Sequence, residues 1–165
     1  MGFALLPLVV LSFLLGIVAI ERNRAQDILP PAIVTQADQS GRTFVAYRNA
    51  VAVYQQNNPA FTGAVSNAAL SAQGSQFSST FLASAGNAIT AIGGGAGRVV
   101  TAYAALPGGS ITAALDATQN DASLGMASGT TWTSFAQSAG VNNTPVPLTT
   151  PVPNGNVVSV VQIGS

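Results

Sequence analysis

The sequence predicts an α+β fold in which an N-terminal transmembrane helix precedes a second, amphipathic helix packed on a small, mainly antiparallel sheet. The first observation is an uncharged apolar run from Phe3 to Ile20. The second is a helically spaced stripe of large side chains within residues 35–56, and the third is a series of short β-type segments after residue 98. Helical and strand patterns that follow one another in this way are typical of α+β proteins.

The apolar run is long enough to cross a membrane. Its eighteen residues carry no charge. A helix of that length measures roughly 27 Å, close to the hydrocarbon thickness of a bilayer. We therefore expect residues 1–22 to form a transmembrane anchor, residues 23–34 a polar linker with a Pro-Pro break, and residues 35–165 a single globular domain.

Two processed forms are the alternatives to an uncleaved anchor. A cleaved signal peptide has a basic start and small residues before the cut, whereas no Lys or Arg precedes this run and Glu21 follows it directly. Removal of a short leader between Gly2 and Phe3, as in prepilins, usually accompanies a Glu at the fifth mature position, where this chain has Pro7. The sequence favours the uncleaved anchor.

Two features of the sequence disagree on membrane orientation. Arg22 and Arg24 follow the apolar run, which favours a cytoplasmic location for the rest of the chain. From Asn49 to Ser165, however, only three residues are charged, and hydroxyl and amide side chains supply the polarity. Because such a composition suits an exported domain, we predict a single-pass inner-membrane protein with a periplasmic domain.

The composition excludes most enzyme classes. The chain has no His and no Cys, and all five of its basic residues are Arg. It therefore lacks the commonest general base, the thiolate nucleophile and the Schiff-base amine. A net charge of zero leaves no electrostatic footprint for nucleic acid. We expect a protein that is not an enzyme and has neither a nucleic-acid partner nor a small-molecule substrate.

The second helix is predicted between about Thr35 and Gln56. Its stripe consists of Phe44, Tyr47, Val51 and Tyr54, which are spaced three, four and three residues apart. This spacing places the four side chains on one helical face, which we expect to pack on the sheet. Gln55 and Gln56 lie off the stripe, and their replacement by Ala is expected to change stability little.

The remaining elements are predicted from β-type residues and turn signals. The predicted elements are a strand at 98–106, a paired segment at 110–115, a short helix at 116–124, strand and turn at 126–135, and a closing strand at 157–163. Residues 78–91 could form a short helix, and residues 140–156 match no regular pattern. The Gly-rich stretch at 93–97 is followed by Arg98 where a dinucleotide fingerprint requires Gly, so we interpret it as a turn.

One polar cluster has ligand-like spacing: Asp116, Asn120 and Asp121. It does not match an EF-hand loop, which needs ligands at alternate positions and a closing Glu. Helix capping explains these residues more simply. We therefore predict no catalytic, cofactor-binding or metal-binding residues and no cofactor. A periplasmic hydrolase that uses Asp116 or Asp121 is a remote alternative.

Two segments resemble the PilM family of type IVb and conjugative thin-pilus systems. The first is FVAYRNAV at residues 44–51 with YQQNNPAFTG at 54–63, and the second is PVPNGNVV at 151–158. The resemblance implies a membrane-anchored, non-enzymatic component of the pilus base or of pilin transport, with the inner membrane and other assembly subunits or pilins as partners. An anchor followed by helix and sheet is also the plan of pilins. The alternative function is therefore a minor pilin or pseudopilin that enters the filament after processing at Gly2-Phe3.

Overall fold

The structure, a computed structural model, describes residues 32–93, 97–135 and 144–164. The chain divides into two compact units, Met1–Thr35 and Gln36–Ser165. The first unit is outside the described residues except for the start of one helix, and the second contains all of the sheet. The account below concerns the second unit.

The elements alternate between helices and strands. In chain order they are α1 (Ala32–Asn57), α2 (Asn67–Ala72), α3 (Ser79–Leu82), β1 (Ala85–Ala91), β2 (Arg98–Ala104), α4 (Ser110–Ala117), β3 (Leu124–Ser134), β4 (Val146–Val152) and β5 (Val157–Ile163).

The predicted stripe on α1 lies in the core. Phe44 and Val51 are 0% exposed and Tyr47 is 1% exposed. The Tyr47 ring meets Phe77 and Phe81 edge-on, with centroids 5.3 and 5.5 Å apart. Such aromatic pairs add specific geometry to the burial of apolar area, which is the main stabilising contribution here.

Gln55, which lies off the predicted stripe, is nevertheless buried, with 2% of its side chain exposed. Its amide nitrogen donates to the carbonyl of Pro59 at 3.1 Å, where α1 has just ended. The bond holds the chain as it turns into the Pro59–Gly63 segment. A polar side chain was not expected on the buried face, because periodicity arguments count only apolar residues.

Five antiparallel strands form one sheet in the order β1-β2-β5-β3-β4. The central pair, β2 with β5, runs in unbroken register from Arg98 opposite Ile163 to Ala104 opposite Val157. The predicted strands at 98–106 and 157–163 are therefore neighbours at the centre of the sheet. Their Val-rich sequences suit strands that are covered on both faces.

The sheet curls until it is nearly closed on itself. β3 folds back at Gly129, whose φ is +65°, so that the amide of Phe135 donates to the carbonyl of Leu124 at 2.8 Å. The outer strands β1 and β4 then approach each other, and the hydroxyl of Thr90 donates to that of Thr149 at 2.9 Å. Trp132 is 9% exposed and packs with Val152 and Val158.

The predicted pilin-like plan with an N-terminal transmembrane helix is wrong. The sheet is a nearly closed five-stranded antiparallel sheet, and α4 lies between two of its strands in sequence. No helix among the described residues is long and apolar enough to cross a bilayer. That finding contradicts the prediction of a single-pass inner-membrane protein. The anchor predicted at residues 1–22 lies outside the described residues.

Residues 110–124 also differ from the prediction. Ser110–Ala117 forms α4 instead of a strand, and the helix predicted at 116–124 is a loop that leads into β3. α4 packs closely on α1, since a Cβ on Gly41 would collide with the Ser110 carbonyl. A pattern of apolar residues does not reveal such a contact between distant segments.

The C-terminal PVPNGNVV segment has a definite structural role. It leads from β4 to β5, which are separated in the sheet by β3. Gly155, with a φ of +78°, makes the turn, and its amide donates to the Ala127 carbonyl at 3.0 Å. The Ala127 amide in turn donates to the Asn156 carbonyl at 2.9 Å. The segment therefore crosses β3 near its fold-back at Gly129 and places Val157 and Val158 in the core.

Candidate functional site

The structure separates the carboxylates that the sequence singled out. Asp116 lies exposed on the last turn of α4, whereas Asp121 is half-buried in the loop before β3. Asn120 is exposed beside it. Within the described residues, no group of three acidic, His or Cys side chains is placed to hold a metal ion.

Asp121 belongs to a cluster with Arg48, Ser123 and Ser159, which we call the Arg48 cluster. The Nη2 atom of Arg48 lies 2.8 Å from the Asp121 carboxylate. The Nη1 atom donates to the hydroxyl of Ser123 at 2.9 Å and to that of Ser159 at 3.4 Å. One guanidinium therefore connects α1 to the loop before β3 and to β5.

Arg48 reaches the sheet because it is next to Tyr47 on α1. Tyr47 enters the core, so the following side chain points along the edge of the buried face, and it is 14% exposed. On β5, Ser159 follows the buried Val158 and is itself 1% exposed, facing α1. The family-like segment on α1 therefore contacts Ser159, the residue that directly follows the segment leading into β5.

The loop from Thr118 to Ser123 places Asp121 against this guanidinium. It closes α4 with a bond from the Asn120 amide to the Leu115 carbonyl at 2.8 Å. Gln119 and Asn120 adopt φ values of 54° and 59°. This is the left-handed region, which is strained for residues other than Gly and Asn.

Electrostatics favour the charged form of Asp121. Burial, the largest single influence, raises the pKa of its carboxyl. Hydrogen bonds from the Ser123 amide, from Arg48 and from the Ser123 hydroxyl, together with the positive charge of Arg48, outweigh burial and hold that pKa below its usual value. The hydrogen bond from the Ser123 amide to the Asp121 carboxylate, at 2.8 Å, also fixes the direction of the Asp121 side chain.

A cleft of about 210 Å³ opens beside the Arg48 cluster. Its polar lining comes from Arg48, Asn49, Asp121 and Ser159, and its apolar lining from Ala52, Val100, Ala102 and Val161. The cleft is too small for most organic cofactors, which occupy several hundred cubic ångströms. It is large enough for one side chain.

The chemistry of the cluster is that of an ion pair and its hydrogen bonds. The Asp121 carboxylate is kept ionised and engaged, so at neutral pH it is poorly suited to donate a proton. The Ser123 and Ser159 hydroxyls lie 3.4 Å apart. Each also receives a bond from Arg48, which does not act as a base at neutral pH. The arrangement is suited to fixing the positions of three elements.

Sequence reasoning missed Arg48. The apolar stripe includes its neighbours Tyr47 and Val51, and the sequence analysis assigns no role to Arg48. One signal was available: a chain that is only 6% charged has a cation in the middle of a helix that was expected to be buried on one face. In such a chain, each charge is a candidate for a specific partner.

Two other hollows flank the segment from Ser78 to Asn87. The first, about 330 Å³, lies between α1 and α3 and is lined mainly by Gln, Ser and Thr side chains around Phe81 and Leu106. The second, about 420 Å³, is shallower and is lined by Tyr47, Asn87 and Tyr103 among others. Neither has a charged side chain among the residues that line it.

Comparison with known proteins places this fold in context. The model of the PilM family matches residues 10–160. A crystal structure of a protein from Escherichia coli B7A that bears the PilM name is similar, with a TM-score of 0.55 and 17% identity over 77% of this chain and 92% of that one. At this identity the likeness shows the fold. No curated protein matches this chain.

Proposed function

Because this chain belongs to the PilM family, we propose that it is a structural component of pilus assembly that acts through protein contacts and not through catalysis. Membership of the family supports a pilus-related role, and with it assembly subunits or pilins as partners. The non-enzymatic part of the proposal is supported by the chemistry of the described residues.

The observation that carries the proposal is the ion pair that Asp121 forms and its lowered pKa. This carboxylate is one of the two, with Asp116, that the sequence offered for chemistry, and it is bound to Arg48 at 2.8 Å with a lowered pKa. A general acid at neutral pH needs a raised pKa, and a metal ligand needs a free carboxylate with further ligands nearby. Asp121 instead has the surroundings of a structural ion pair.

A second line of support is that the family-like segments build the fold. FVAYRNAV supplies the buried face of α1, and PVPNGNVV carries the chain across β3 into β5. Arg48 of the first segment donates to Ser159, which directly follows the second. Patterns of this kind favour a protein that presents a rigid surface over one that performs a reaction.

The proposal is tested by removing the charge of each carboxylate in cells that depend on this protein for pili. Asp116→Asn and Asp121→Asn keep side-chain size, and the double variant removes both charges. We expect all three to support pilus assembly, scored by electron microscopy and by pilin in the sheared fraction. Deletion of residues 157–163 should abolish assembly, because it removes a central strand and exposes the core.

The Asp121 variant loses an ion pair, so its folded amount must be measured alongside assembly. Asp38→Asn is the matched control, because Asp38 is exposed and also paired with an Arg. An Asp variant that is folded at the level of the control and still cannot assemble pili would contradict the non-enzymatic proposal. Attention would then move to that carboxylate as a catalytic group.

A further inference from the structure

The outer edge of β1, on the side away from β2, is only partly covered by a neighbouring backbone. Ile89 and Gly63 exchange two hydrogen bonds of 2.8 Å each, so both backbone groups of Ile89 point away from β2. In an antiparallel strand these directions alternate from one residue to the next. The backbone groups of Ala85 and Asn87 therefore point outward as well, on the same side as those of Ile89.

Ala85 and Asn87 have no backbone partner on that side among the described residues. The segment after Gly63 is instead held by the Asn87 side chain, whose Oδ1 accepts from the Val65 amide at 2.7 Å and whose Nδ2 donates to the Val65 carbonyl at 3.1 Å. The same Nδ2 donates to the Tyr47 hydroxyl at 2.8 Å, so the Asn87 side chain points toward α1. The position beside the Asn87 backbone is left open.

The hollow of about 420 Å³ lies along this open edge. Its lining includes residues 85–87 on one side and residues 64–67 on the other. The ring of Tyr103, which also lines the hollow, lies across β1, since a Cβ on Gly86 would collide with it. The hollow thus combines unpaired backbone groups with an aromatic ring, and no charged side chain lines it.

The two outer strands of the sheet differ in how their edges are protected. An open strand edge is a template for pairing with another chain, and proline protects it because proline has no N–H to offer. β4, at the other edge of the sheet, contains Pro147 and Pro151. β1 contains neither a proline nor a charged residue. Of the two edges, that of β1 is the one suited to receive a further strand.

The length of the open edge limits what can occupy it. Gly63 fills the position beside Ile89, and Leu82, the last residue of α3, lines the hollow where β1 begins. The open part spans residues 85–87, about 10 Å at the rise of a β-strand. The β1 strand of a second copy has seven residues and would run past both limits. A short, flexible segment fits better than the edge of a folded sheet.

We propose that the edge of β1 at residues 85–87 is a docking site for an extended, uncharged segment of a partner protein, which adds a short strand to the sheet. The backbone of the segment pairs with Ala85 and Asn87, and one of its side chains contacts the Tyr103 ring. In this mode the main-chain hydrogen bonds supply affinity and the side-chain contacts supply specificity. That the partner is a pilus-assembly protein rests on the proposed function, but the docking site does not.

The first test follows amide hydrogen exchange in the natural full-length protein. The amides of Ala85 and Asn87 should exchange fast, and those of Gly86 and Ala88, which face β2, should exchange slowly. Slow exchange at Ala85 and Asn87 would overturn the proposal, because another part of this chain would then fill the edge. Slow exchange that appears only as the protein concentration rises would overturn it in favour of a second copy.

The second test adds a peptide to the same protein. The probe is acetyl-Thr-Val-Thr-Val-Thr-amide, which is uncharged and rich in strand-forming residues. Titration with it should slow exchange at Ala85 and Asn87 in a saturable manner, on the order of tenfold. The amide of Ala91, which also faces outward but does not line the hollow, should be unchanged.

The control for the probe is the same peptide N-methylated at every residue, which keeps the side chains and removes the backbone donors. It should leave exchange at Ala85 and Asn87 unchanged. Equal slowing by both peptides would overturn the proposal, because the binding would not then depend on backbone pairing. Absence of slowing by the unmodified peptide would overturn it as well.

A pair of variants tests the position of the site. Ala85→Pro removes an outward-facing donor and no hydrogen bond to β2, which an edge strand tolerates. Ala91→Pro is the matched control on the same edge of β1, outside the hollow. With melting temperatures confirming that both are folded, Ala85→Pro should raise the peptide concentration for half-maximal slowing at Asn87 at least tenfold, and Ala91→Pro should not. Equal binding by both folded variants would overturn the proposal, and the exchange tests on the natural protein do not depend on either variant.

These outcomes are independent of pilus assembly. If the peptide tests succeed and the Asp-to-Asn variants fail to assemble pili although folded, the docking site stands and the non-enzymatic role falls. If the peptide tests fail and the variants assemble, the role stands and the docking site falls.

Discussion

The two sides of α1 carry ion pairs of the same chemistry in different surroundings. On the outer side, Arg42 and Asp38 lie one helical turn apart, 3.9 Å from each other, with side chains 72% and 54% exposed. On the inner side, Arg48 and Asp121 lie 2.8 Å apart, with side chains 14% and 34% exposed, and join segments that are distant in sequence. The first pair is local to one helix, and the second connects the helix to the sheet.

The difference shows that the position of an ion pair, and not the number of such pairs, decides how much it contributes to stability. A solvent-exposed pair is screened and loses side-chain entropy, so it contributes little. A sheltered pair is costly to break, because removal of one partner leaves the other charge without water or a counter-ion. In a chain that is 6% charged, Arg48 and Asp121 therefore matter more than any surface pair.

The largest expected loss of stability comes from shortening an apolar side chain on the inner side of α1. Tyr47→Ala should lower the free energy of unfolding by about 3–5 kcal/mol, since it removes a buried ring and its contacts with two Phe rings. Val53→Ala is the control on the outer side, where the side chain is 46% exposed, and it should change the value by less than about 0.5 kcal/mol. Denaturant unfolding of both full-length variants measures this contrast, and equal losses would show that α1 has no buried side.

The second effect concerns the sheltered pair and its dependence on pH. Asp121→Asn should cost about 2 kcal/mol at pH 7, a value reduced from that of a fully buried pair because Asp121 is a third exposed. The pKa of Asp121 is lowered in the folded state, so its stabilising contribution is present above the pKa of the unfolded chain, about 3.9. That contribution is lost as the pH falls through the folded pKa.

The difference in stability between the natural protein and Asp121→Asn should therefore be constant near neutral pH and shrink below about pH 4. Unfolding measured from pH 7 to pH 2 tests this, with Asp38→Asn as the comparison. A difference that grows on acidification would mean that the Asp121 pKa is raised.

The third effect is a gain in stability. Gln119→Gly should raise the free energy of unfolding by about 1 kcal/mol, because Gly adopts a φ of 54° without the steric cost that Gln has there. Gln119→Ala, which keeps the Cβ and its cost, is the matched control. If Gly and Ala have the same effect, the strain assigned to this loop is absent.

The parts of the fold that could be predicted are those with strong local patterns. The face of α1 that contains Tyr47 and Val51 and the closing strand at 157–163 follow from periodicity and β-branched residues. The pilin-like plan could not be corrected from sequence, because the curl of the sheet depends on the fold-back at Gly129 and on the Thr90–Thr149 bond. These contacts join positions that no local pattern relates.

Only part of the candidate site could be predicted, because its other contacts also join positions that no local pattern relates. Asp121 was singled out from its residue type, but its partner Arg48 is 73 positions away in the chain. Helix capping was the expected role of the Asp116, Asn120 and Asp121 cluster, whereas Asp121 precedes β3 and its carboxylate accepts from the Ser123 amide in a turn. The long-range ion pair depends on close packing of α4 against Gly41, which lets the loop reach α1.

The most direct test of the contrast between the two pairs is a double-mutant cycle on each. Arg48→Met and Asp121→Asn, alone and combined in the full chain, give the coupling free energy of the sheltered pair, and Arg42→Met with Asp38→Asn gives that of the exposed pair. We expect about 1.5–2 kcal/mol for the first and less than about 0.5 kcal/mol for the second. A coupling below about 0.5 kcal/mol for Arg48 with Asp121 would contradict the claim that this pair holds α1 to the sheet.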